Sequence, residues 1–282
     1  MRKISEEELK NILKDHETWL QTNKKDGKRA DLRDADLSGV DLSNDNLSGA
    51  ILSDADLTEA NLIGVNLCHA DLADANLSKA NLIYSNLSDA NLYQADLNYA
   101  NLKYANLSNA DLTRANLIKA NLIYSNLAHA NLNYAYLSNT NLCHADLNHA
   151  NLSKANLYCA DLFKADLSET NLNHADLMHA NLDYANLTNA NLSEANLIYA
   201  NLTDAVLPKQ IIQIGPIGKR KSYTIINIDD DIITCGCWKG SLEEFKHRID
   251  IEYPDNGLYR SQYLGVISLI ESIKMIDTQC KN

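Results

Sequence analysis

The chain has 282 residues, 45% of them hydrophobic, and a formal net charge of −12. This acidity argues against a protein that binds nucleic acid nonspecifically, because such binding depends on Lys and Arg contacts to phosphates. No apolar run approaches the ~20 residues of a membrane-spanning helix, so we expect no membrane partner.

Residues 1–29 are predicted to form a helix followed by a short basic turn. Ser5 and Glu8 have the S-x-x-E spacing of a capping box, and apolar residues recur at helical spacing as far as Leu20. We expect this helix, over residues 5–23, to cover the open end of the segment that follows it. The alternative is a helix that binds a partner.

Residues 30–207 repeat one five-residue motif, A-[D/N]-L-x-x. Leu recurs at every fifth position from Leu32 to Leu207, 36 times without a break. A period of five gives no stripe on an α-helix and alternates between the faces of a flat strand. It fits a chain that turns one corner per repeat with Ala and Leu inside. Asp45 is the one charged residue at an Ala position, and we expect the coil to be locally distorted there.

The outward residues indicate how many repeats make one coil. At a spacing of 20 residues, Tyr84, Tyr104 and Tyr124 fall into one column, and the sequence I-Y-S-N recurs at 83–86 and 123–126. A spacing of 15 residues aligns no such chemistry. The sequence therefore predicts a four-sided coil and, for 36 repeats, nine coils. At ~4.8 Å between strands, the rod would be about 40 Å long.

The motif and its copy number resemble the pentapeptide repeat family. The resemblance implies an all-β solenoid, a right-handed quadrilateral β-helix with four pentapeptides per coil. It also raises a functional alternative, because some members are quinolone-resistance proteins that bind the type II topoisomerase gyrase by imitating DNA. Since one fold supports many functions, the choice has to come from the surface.

Acidic residues concentrate in the first coils of the repeat segment. Residues 30–207 hold 21 Asp and Glu against 7 Lys and Arg. The candidate acidic patch consists of Asp31, Asp34, Asp36, Asp54, Asp56, Asp71 and Asp74. It is either a solvated face or a DNA-mimicking surface, and we favour the solvated face because Asp is a routine residue at the middle of the motif.

A second candidate surface lies on the opposite side of the predicted rod. Its members are Ile83, Tyr84, Tyr104, Ile123, Tyr124, Phe163 and Tyr184. Contiguous exposed apolar residues mark interfaces, and Tyr is enriched there. Alternatively, the rings only stabilise neighbouring coils by stacking. The first interpretation predicts an unidentified protein partner or a homodimer.

Catalytic and metal sites are not predicted. His129 and His149 are one coil apart, as are Cys159 and His179, but each is only a pair and a structural zinc site needs four ligands. No catalytic triad is recognisable, and the six Cys have no framework spacing. We expect a non-enzymatic cytoplasmic protein that has free thiols, takes no cofactor and makes no direct contact with nucleic acid.

Residues 208–282 are predicted to form a small α+β module. Pro208 ends the repeat because it cannot donate to a ladder. Strands are expected at 222–229 and 232–238, with the Cys235 and Cys237 thiols buried on one side of the second strand. The glycine-rich segment 215–222 is predicted to be a connecting loop.

Two helices are expected to complete this module. Ser241 and Glu244 form a capping box for the first helix, and the second runs over 259–276. The module resembles the C-terminal segment of some bacterial and phage pentapeptide repeat proteins. A ligand-binding or enzyme site within it is a third functional alternative.

Overall fold

The structure, a computed structural model, describes residues 1–208, 211–217, 222–255 and 257–280. The N-terminal elements are β1 (Arg2–Lys3), α1 (Glu6–Gln21) and β2 (Ala35–Asp36). The C-terminal elements are β3 (Ile211–Ile217), β4 (Ser222–Asn227), β5 (Ile232–Cys235), β6 (Trp238–Gly240), α2 (Leu242–Glu252) and α3 (Leu258–Cys280). Between β2 and β3 the chain alternates single-residue bridges with tight turns.

The repeat segment winds into a four-sided solenoid with a period of 20 residues. Asp31 pairs in parallel with Ile51, and the same 20-residue step continues to the pair Asn186 and Val206. Successive pairs begin five residues apart, so each coil has four of them. The prediction of four sides is therefore confirmed.

The Leu side chains fill the interior of the solenoid. Leu32 and Leu122 have no exposed surface, and Ala lines the core beside them. Polar residues at Ala positions satisfy their hydroxyls locally, because Ser85 donates to the Leu82 carbonyl and Ser125 to the Leu122 carbonyl, both over 2.7 Å. These buried hydroxyls therefore leave the core intact.

Each repeat turns its corner at the same residue. From Leu32 to Leu202, the second residue after each Leu of the repeat has a positive φ, for example 55° at Asp34 and 50° at Asp204. The next N–H donates to the Leu carbonyl, as Ala35 does to Leu32 over 3.3 Å, which closes a β-turn with positive φ at its third residue. Most of these corner residues are not Gly, although positive φ is uncommon outside Gly, Asn and Asp.

Asp45 does not distort the first coil. Its N–H donates to the Leu42 carbonyl over 3.2 Å, and its carbonyl accepts from the Asn66 N–H over 2.9 Å, as at neighbouring repeats. The predicted distortion is therefore wrong. Asp45 is tolerated because the first coil has no further coil on its outer side, so the side chain is only half-buried. Burial and then the Asp41 carboxylate raise the pKa of Asp45.

The N-terminal segment lies against the first coil. Strand β1 pairs in parallel with β2 and extends the ladder beyond that coil. Helix α1 packs Leu9, Ile12 and Leu13 against the leucine core. His16 is fully buried at this contact, with its ring 5.4 Å from that of Trp19.

The capping box predicted for α1 is only half formed. Ser5 Oγ accepts the Glu8 N–H over 3.2 Å, but the Glu8 carboxylate forms an ion pair with Arg2 instead of returning to the Ser5 backbone. In α2 both halves are present between Ser241 and Glu244. The difference arises because β1 brings a guanidinium within reach of Glu8.

The C-terminal segment lies against the last coil. Strands β3 to β6 form an antiparallel sheet in sequence order. Ile211 and Ile225 join the leucine core, and the Asp230 carboxylate accepts the Glu194 N–H over 2.9 Å. Ile226 packs instead with Phe245 of α2, because neighbouring strand residues point to opposite faces. The sheet thus lies between the rod and the two helices.

Two predictions for this segment are wrong. A turn at Gly236, where φ is 60°, breaks the expected second strand into β5 and β6, with Cys235 paired to Trp238. Cys235 is therefore half-buried and Cys237 is exposed, so the thiols do not share one buried side. Part of the predicted loop, 215–217, belongs to β3. Residues 218–221 of that loop lie outside the described residues.

Candidate interaction surfaces

Six aromatic rings follow one corner of the rod over six successive coils. We call this set the aromatic column, and it consists of Tyr84, Tyr104, Tyr124, His144, Phe163 and Tyr184. The first two ring contacts are parallel stacks with centroids 5.0 and 5.4 Å apart, and the Tyr124–His144 stack measures 4.7 Å. The last two contacts are edge-on, at 5.8 and 5.9 Å. The column is therefore continuous from its first ring to its last.

The rings stack without being covered. Tyr84 is 64% exposed and Tyr124 is 48% exposed, and even Tyr104, between them, is 39% exposed. The two interpretations offered by the sequence are thus compatible, because ring stacking between coils uses the faces of the rings and leaves their outer edges open. The C-terminal sheet contacts the last coil and leaves the column open to solvent.

Aliphatic and cationic side chains flank the aromatic column. Ile83 and Ile123 are half-buried beside it. The Lys103 ammonium lies 5.1 Å from the ring centre of Tyr104, and the Lys164 ammonium lies 5.2 Å from that of Phe163, within cation–π range. The flanks therefore give a mostly apolar corner two positive charges.

Two features of this corner extend the sequence-based set. His144 continues the tyrosine stack although it was not among the predicted residues, and its 20-residue step from Tyr124 was the available signal. Lys164 holds the next position in the column, but Phe163, from the neighbouring position, supplies the ring there. The Lys164 ammonium lies over Phe163 and also 5.5 Å from the ring centre of Tyr184.

Four carboxylates of the acidic patch are engaged within the rod. Asp31 forms an ion pair with Arg33 over 2.6 Å, and Asp36 accepts the Ser38 hydroxyl over 2.8 Å. These hydrogen bonds lower the pKa of both carboxyls. Asp56 and Asp71 similarly accept hydrogen bonds from backbone N–H groups and from side chains. Aspartate at the middle of the motif therefore serves as a structural acceptor.

The other three aspartates form a short exposed column. They are Asp34, Asp54 and Asp74, which occupy the same corner in three successive coils and are all exposed. Gln94 continues the column and donates to the Asp74 carboxylate over 2.9 Å. Arg114 follows, so the negative charge ends after three coils.

The three histidines of the pairs noted in the sequence make ring contacts. His129 and His149 stack with centroids 4.8 Å apart, and His149 Nδ1 lies 3.2 Å from the Glu169 carboxylate. His179 stacks on Tyr199 at 4.9 Å. These contacts resemble those of the aromatic column and pack neighbouring coils against each other.

A bilayer-spanning helix is not found within the described ranges, where no helix combines the necessary length and apolar character. Comparison with curated proteins gives no match. Among solved structures, HetL, a pentapeptide repeat protein involved in heterocyst differentiation regulation from the cyanobacterium Nostoc sp. strain PCC 7120, shares 33% identity over 73% of this chain and 98% of its own, with a TM-score of 0.48. A trypsin-treated form of QnrB1, a plasmid-mediated fluoroquinolone resistance protein, shares 20% identity over 64% and 84% of the two chains, with a TM-score of 0.40.

A third solved structure is that of Rfr23, a pentapeptide repeat protein from the cyanobacterium Cyanothece 51142. It shares 36% identity over 36% of this chain and 63% of its own, with a TM-score of 0.15.

The repeat segment also matches a family model directly. The model for pentapeptide repeats matches in 8 copies that together run from residue 28 to residue 208. The chain therefore belongs to the pentapeptide repeat family, whose members fold as right-handed quadrilateral β-helices.

Proposed function

We propose that the protein is a non-catalytic scaffold and that its aromatic column binds another protein. The observation that supports this function is the continuous column of contacting rings whose tyrosines remain 39% to 64% exposed. Stacking and the β-bridges on either side already restrict the rings, so binding would immobilise few additional side chains. Tyr is also enriched at protein interfaces because one ring offers both apolar surface and a hydroxyl.

The chemistry of the column favours a protein partner over nucleic acid. The chain carries a net charge of −12, which repels a phosphate backbone. Lys103 and Lys164 add local positive charge beside the rings. The expected partner surface is therefore apolar with carboxylates at its edge, or it is the same corner of a second copy in a two-fold homodimer.

The proposal also assigns roles to the two ends of the chain. Residues 1–29 and 208–282 act as caps, and residues 30–207 form nine coils between them. The packing of Ile12 and Ile225 against the leucine core supports this division. Capped ends prevent rods from adding to one another through open strand edges, which leaves the corner columns as the working surface. The free cysteines support a cytoplasmic location.

DNA mimicry is the second candidate. The exposed column of Asp34, Asp54 and Asp74 favours it. Three charges at steps of ~4.8 Å span only about 10 Å, however, and Arg114 reverses the sign farther along. Duplex DNA carries one charge per ~1.7 Å along its whole length.

An enzyme in the C-terminal segment ranks third. The cleft beside Cys235, Phe245 and Tyr263 has a volume of about 60 Å³. Typical ligand pockets measure roughly 300–1,000 Å³. The cleft is therefore too small for an ordinary substrate.

The test is the double variant Tyr84→Lys with Tyr124→Lys, compared with Tyr134→Lys with Tyr199→Lys. The control tyrosines also occupy positive-φ corners and are 43% and 49% exposed, but they lie outside the column. We expect the first variant to lose partner capture or its dimeric mass in light scattering, and the control to keep both. Retention of assembly state and partners by the first variant would show that the column only stabilises the coils.

A further inference from the structure

Three potential metal ligands converge at a corner of the rod away from the aromatic column. Cys68 and His69 are the two corner residues after Leu67, and Asp89 is the corner residue one coil beyond His69. The Cys68 thiol, one His69 ring nitrogen and one Asp89 carboxylate oxygen all lie within 4.8 Å of one another. Among the residues that the structure describes, this is the one such group of three His, Cys, Asp or Glu side chains.

The backbone beneath these side chains is held in place by the ladder. The His69 N–H donates to the Ser88 carbonyl over 3.0 Å, and the Asp89 N–H donates to the Ser108 carbonyl over 2.9 Å. Both corner residues have a φ of 56°. Because the two coils are fixed relative to each other, only side-chain rotation is needed to change the distances between the ligand atoms.

The thiol is oriented toward the same corner. The Ser88 hydroxyl donates to Cys68 Sγ over 3.3 Å, and the Cys68 side chain is half-buried while His69 and Asp89 are exposed. This hydrogen bond fixes the orientation of the sulfur, and a Cys binds metal through that atom as a thiolate. The site therefore offers a partly protected sulfur with two accessible ligands beside it.

We propose that Cys68, His69 and Asp89 bind one zinc ion and leave its fourth coordination position open to water. Thiolate, imidazole and carboxylate are all zinc ligands, at about 2.3, 2.0–2.1 and 2.0–2.2 Å. Ligand atoms around a tetrahedral ion of that size lie roughly 3.3–3.7 Å apart, so side-chain movements of at most about 1.5 Å bring the three ligand atoms to bonding positions. Rotation of the exposed His69 and Asp89 side chains supplies this movement.

The ligand set selects among metals. A thiolate disfavours Ca²⁺ and Mg²⁺, which prefer oxygen ligands. The thiolate and the carboxylate together balance the charge of a divalent ion, and the imidazole is neutral when it binds. The open fourth position gives this corner a Lewis acid accessible from solvent, and it can accept a donor atom from outside the chain.

The test uses cobalt as a spectroscopic substitute for zinc in the full chain with its thiols kept reduced. Thiolate bound to Co²⁺ gives a charge-transfer absorption, and tetrahedral Co²⁺ gives strong ligand-field bands. We expect both signals to saturate at one equivalent and to disappear when Zn²⁺ is added. The absorption should be absent in Cys68→Ser and present in Cys143→Ser, because Cys143 occupies the same position after its own Leu.

Two further pairs of variants distinguish direct metal coordination from a general effect of charge. His69→Asn and Asp89→Asn should each bind Zn²⁺ at least tenfold more weakly than the wild type. Their controls, His174→Asn and Asp54→Asn, alter exposed corner residues with the same positive φ and should bind normally. Asn adopts positive φ readily, so circular dichroism should show all four variants folded.

Three results would overturn the site. The first is an absence of cobalt binding. The second is a charge-transfer band that survives in Cys68→Ser, which would move the metal to another thiol such as Cys237. The third is equal zinc affinity in His69→Asn, Asp89→Asn and their controls.

Discussion

The Nδ1 atom of His16 accepts the Ala30 N–H over 3.1 Å and so ties helix α1 to the start of the repeat segment. Burial, and to a smaller extent the positive charge of Arg29, lowers the pKa of His16, while the Ser48 carbonyl opposes this shift. A protonated imidazole has no free lone pair for the Ala30 N–H. Protonation would therefore break the bond at the end of the rod.

The stability of the protein should consequently depend on the charge of His16. Because the folded-state pKa lies below the ordinary value of about 6.5, the stabilisation is complete above that pH and is lost as the pH falls below it. His16→Gln keeps an acceptor that does not titrate. We expect the melting temperature of the wild type to fall more steeply than that of the variant between pH ~7 and pH ~5. Parallel slopes would assign the acid sensitivity to other groups.

Neighbouring positions 122 and 123 should differ strongly in how much stability they lose when a charge is introduced. Leu122 is completely buried and Ile123 is a half-buried corner residue. Leu122→Asp places a carboxylate among leucines where no partner compensates it, whereas Ile123→Asp leaves the charge in contact with water. Thermal unfolding should show a large loss for the first variant and a small one for the second. Leu122→Ala should cost roughly 2–5 kcal/mol, and equal shifts for the two Asp variants would contradict the inward assignment.

Replacement of Asp45 by Ala should stabilise the first coil. The backbone there is already regular, and Ala is the usual residue at this position. Since the pKa of Asp45 is raised in the folded state, folding binds a proton, and stability falls as the pH rises from ~4 through the folded pKa. The advantage of Asp45→Ala should therefore be larger at neutral pH than at pH ~4. A lower melting temperature for the variant would indicate that the carboxylate makes a stabilising bond.

DNA gyrase supercoiling provides the test of mimicry. We expect no inhibition by micromolar protein, because four aspartates of the acidic patch are engaged in the rod and only Asp34, Asp54 and Asp74 form an exposed column. If the wild type inhibits gyrase, the triple Asn variant at these three positions decides the cause. Loss of inhibition in that variant would rank mimicry above binding through the aromatic column.

The repeat determined most of what could be predicted from the sequence. The Leu register fixed inside and outside, and the recurrence of Tyr84, Tyr104 and Tyr124 fixed the 20-residue coil, because each feature is averaged over many copies. The distortion predicted at Asp45 was wrong because the prediction did not include the position of this residue in the first coil, where no further coil lies on the outer side. The Glu8 carboxylate was mispredicted because the pairing of β1 with β2, which brings Arg2 close, is not a local feature.

The convergence of Cys68, His69 and Asp89 could have been predicted from the sequence and the 20-residue coil. The pairs noted in the sequence, such as His129 and His149, are single residues one coil apart, whereas this group combines that step with two residues adjacent in sequence, Cys68 and His69. The position of the C-terminal sheet between the rod and the helices could not have been predicted from the sequence. Ile225 and Ile226 are the same residue type in the sequence, yet one packs on the leucine core and the other on α2.

The rod has two periods, five residues for its core and 20 for its surface. Insertions and deletions can therefore change the surface that binds partners without changing the core that stabilises the fold. Loss of one pentapeptide between Leu87 and Leu92 would leave every later Leu in register and the interior sequence unchanged. It would also rotate all later residues by a quarter turn, so that Tyr84 would no longer stand below Tyr104. Loss of four pentapeptides would shorten the rod and keep every remaining column in phase. Duplications and deletions can therefore produce new surfaces from old ones while the same hydrophobic core is conserved.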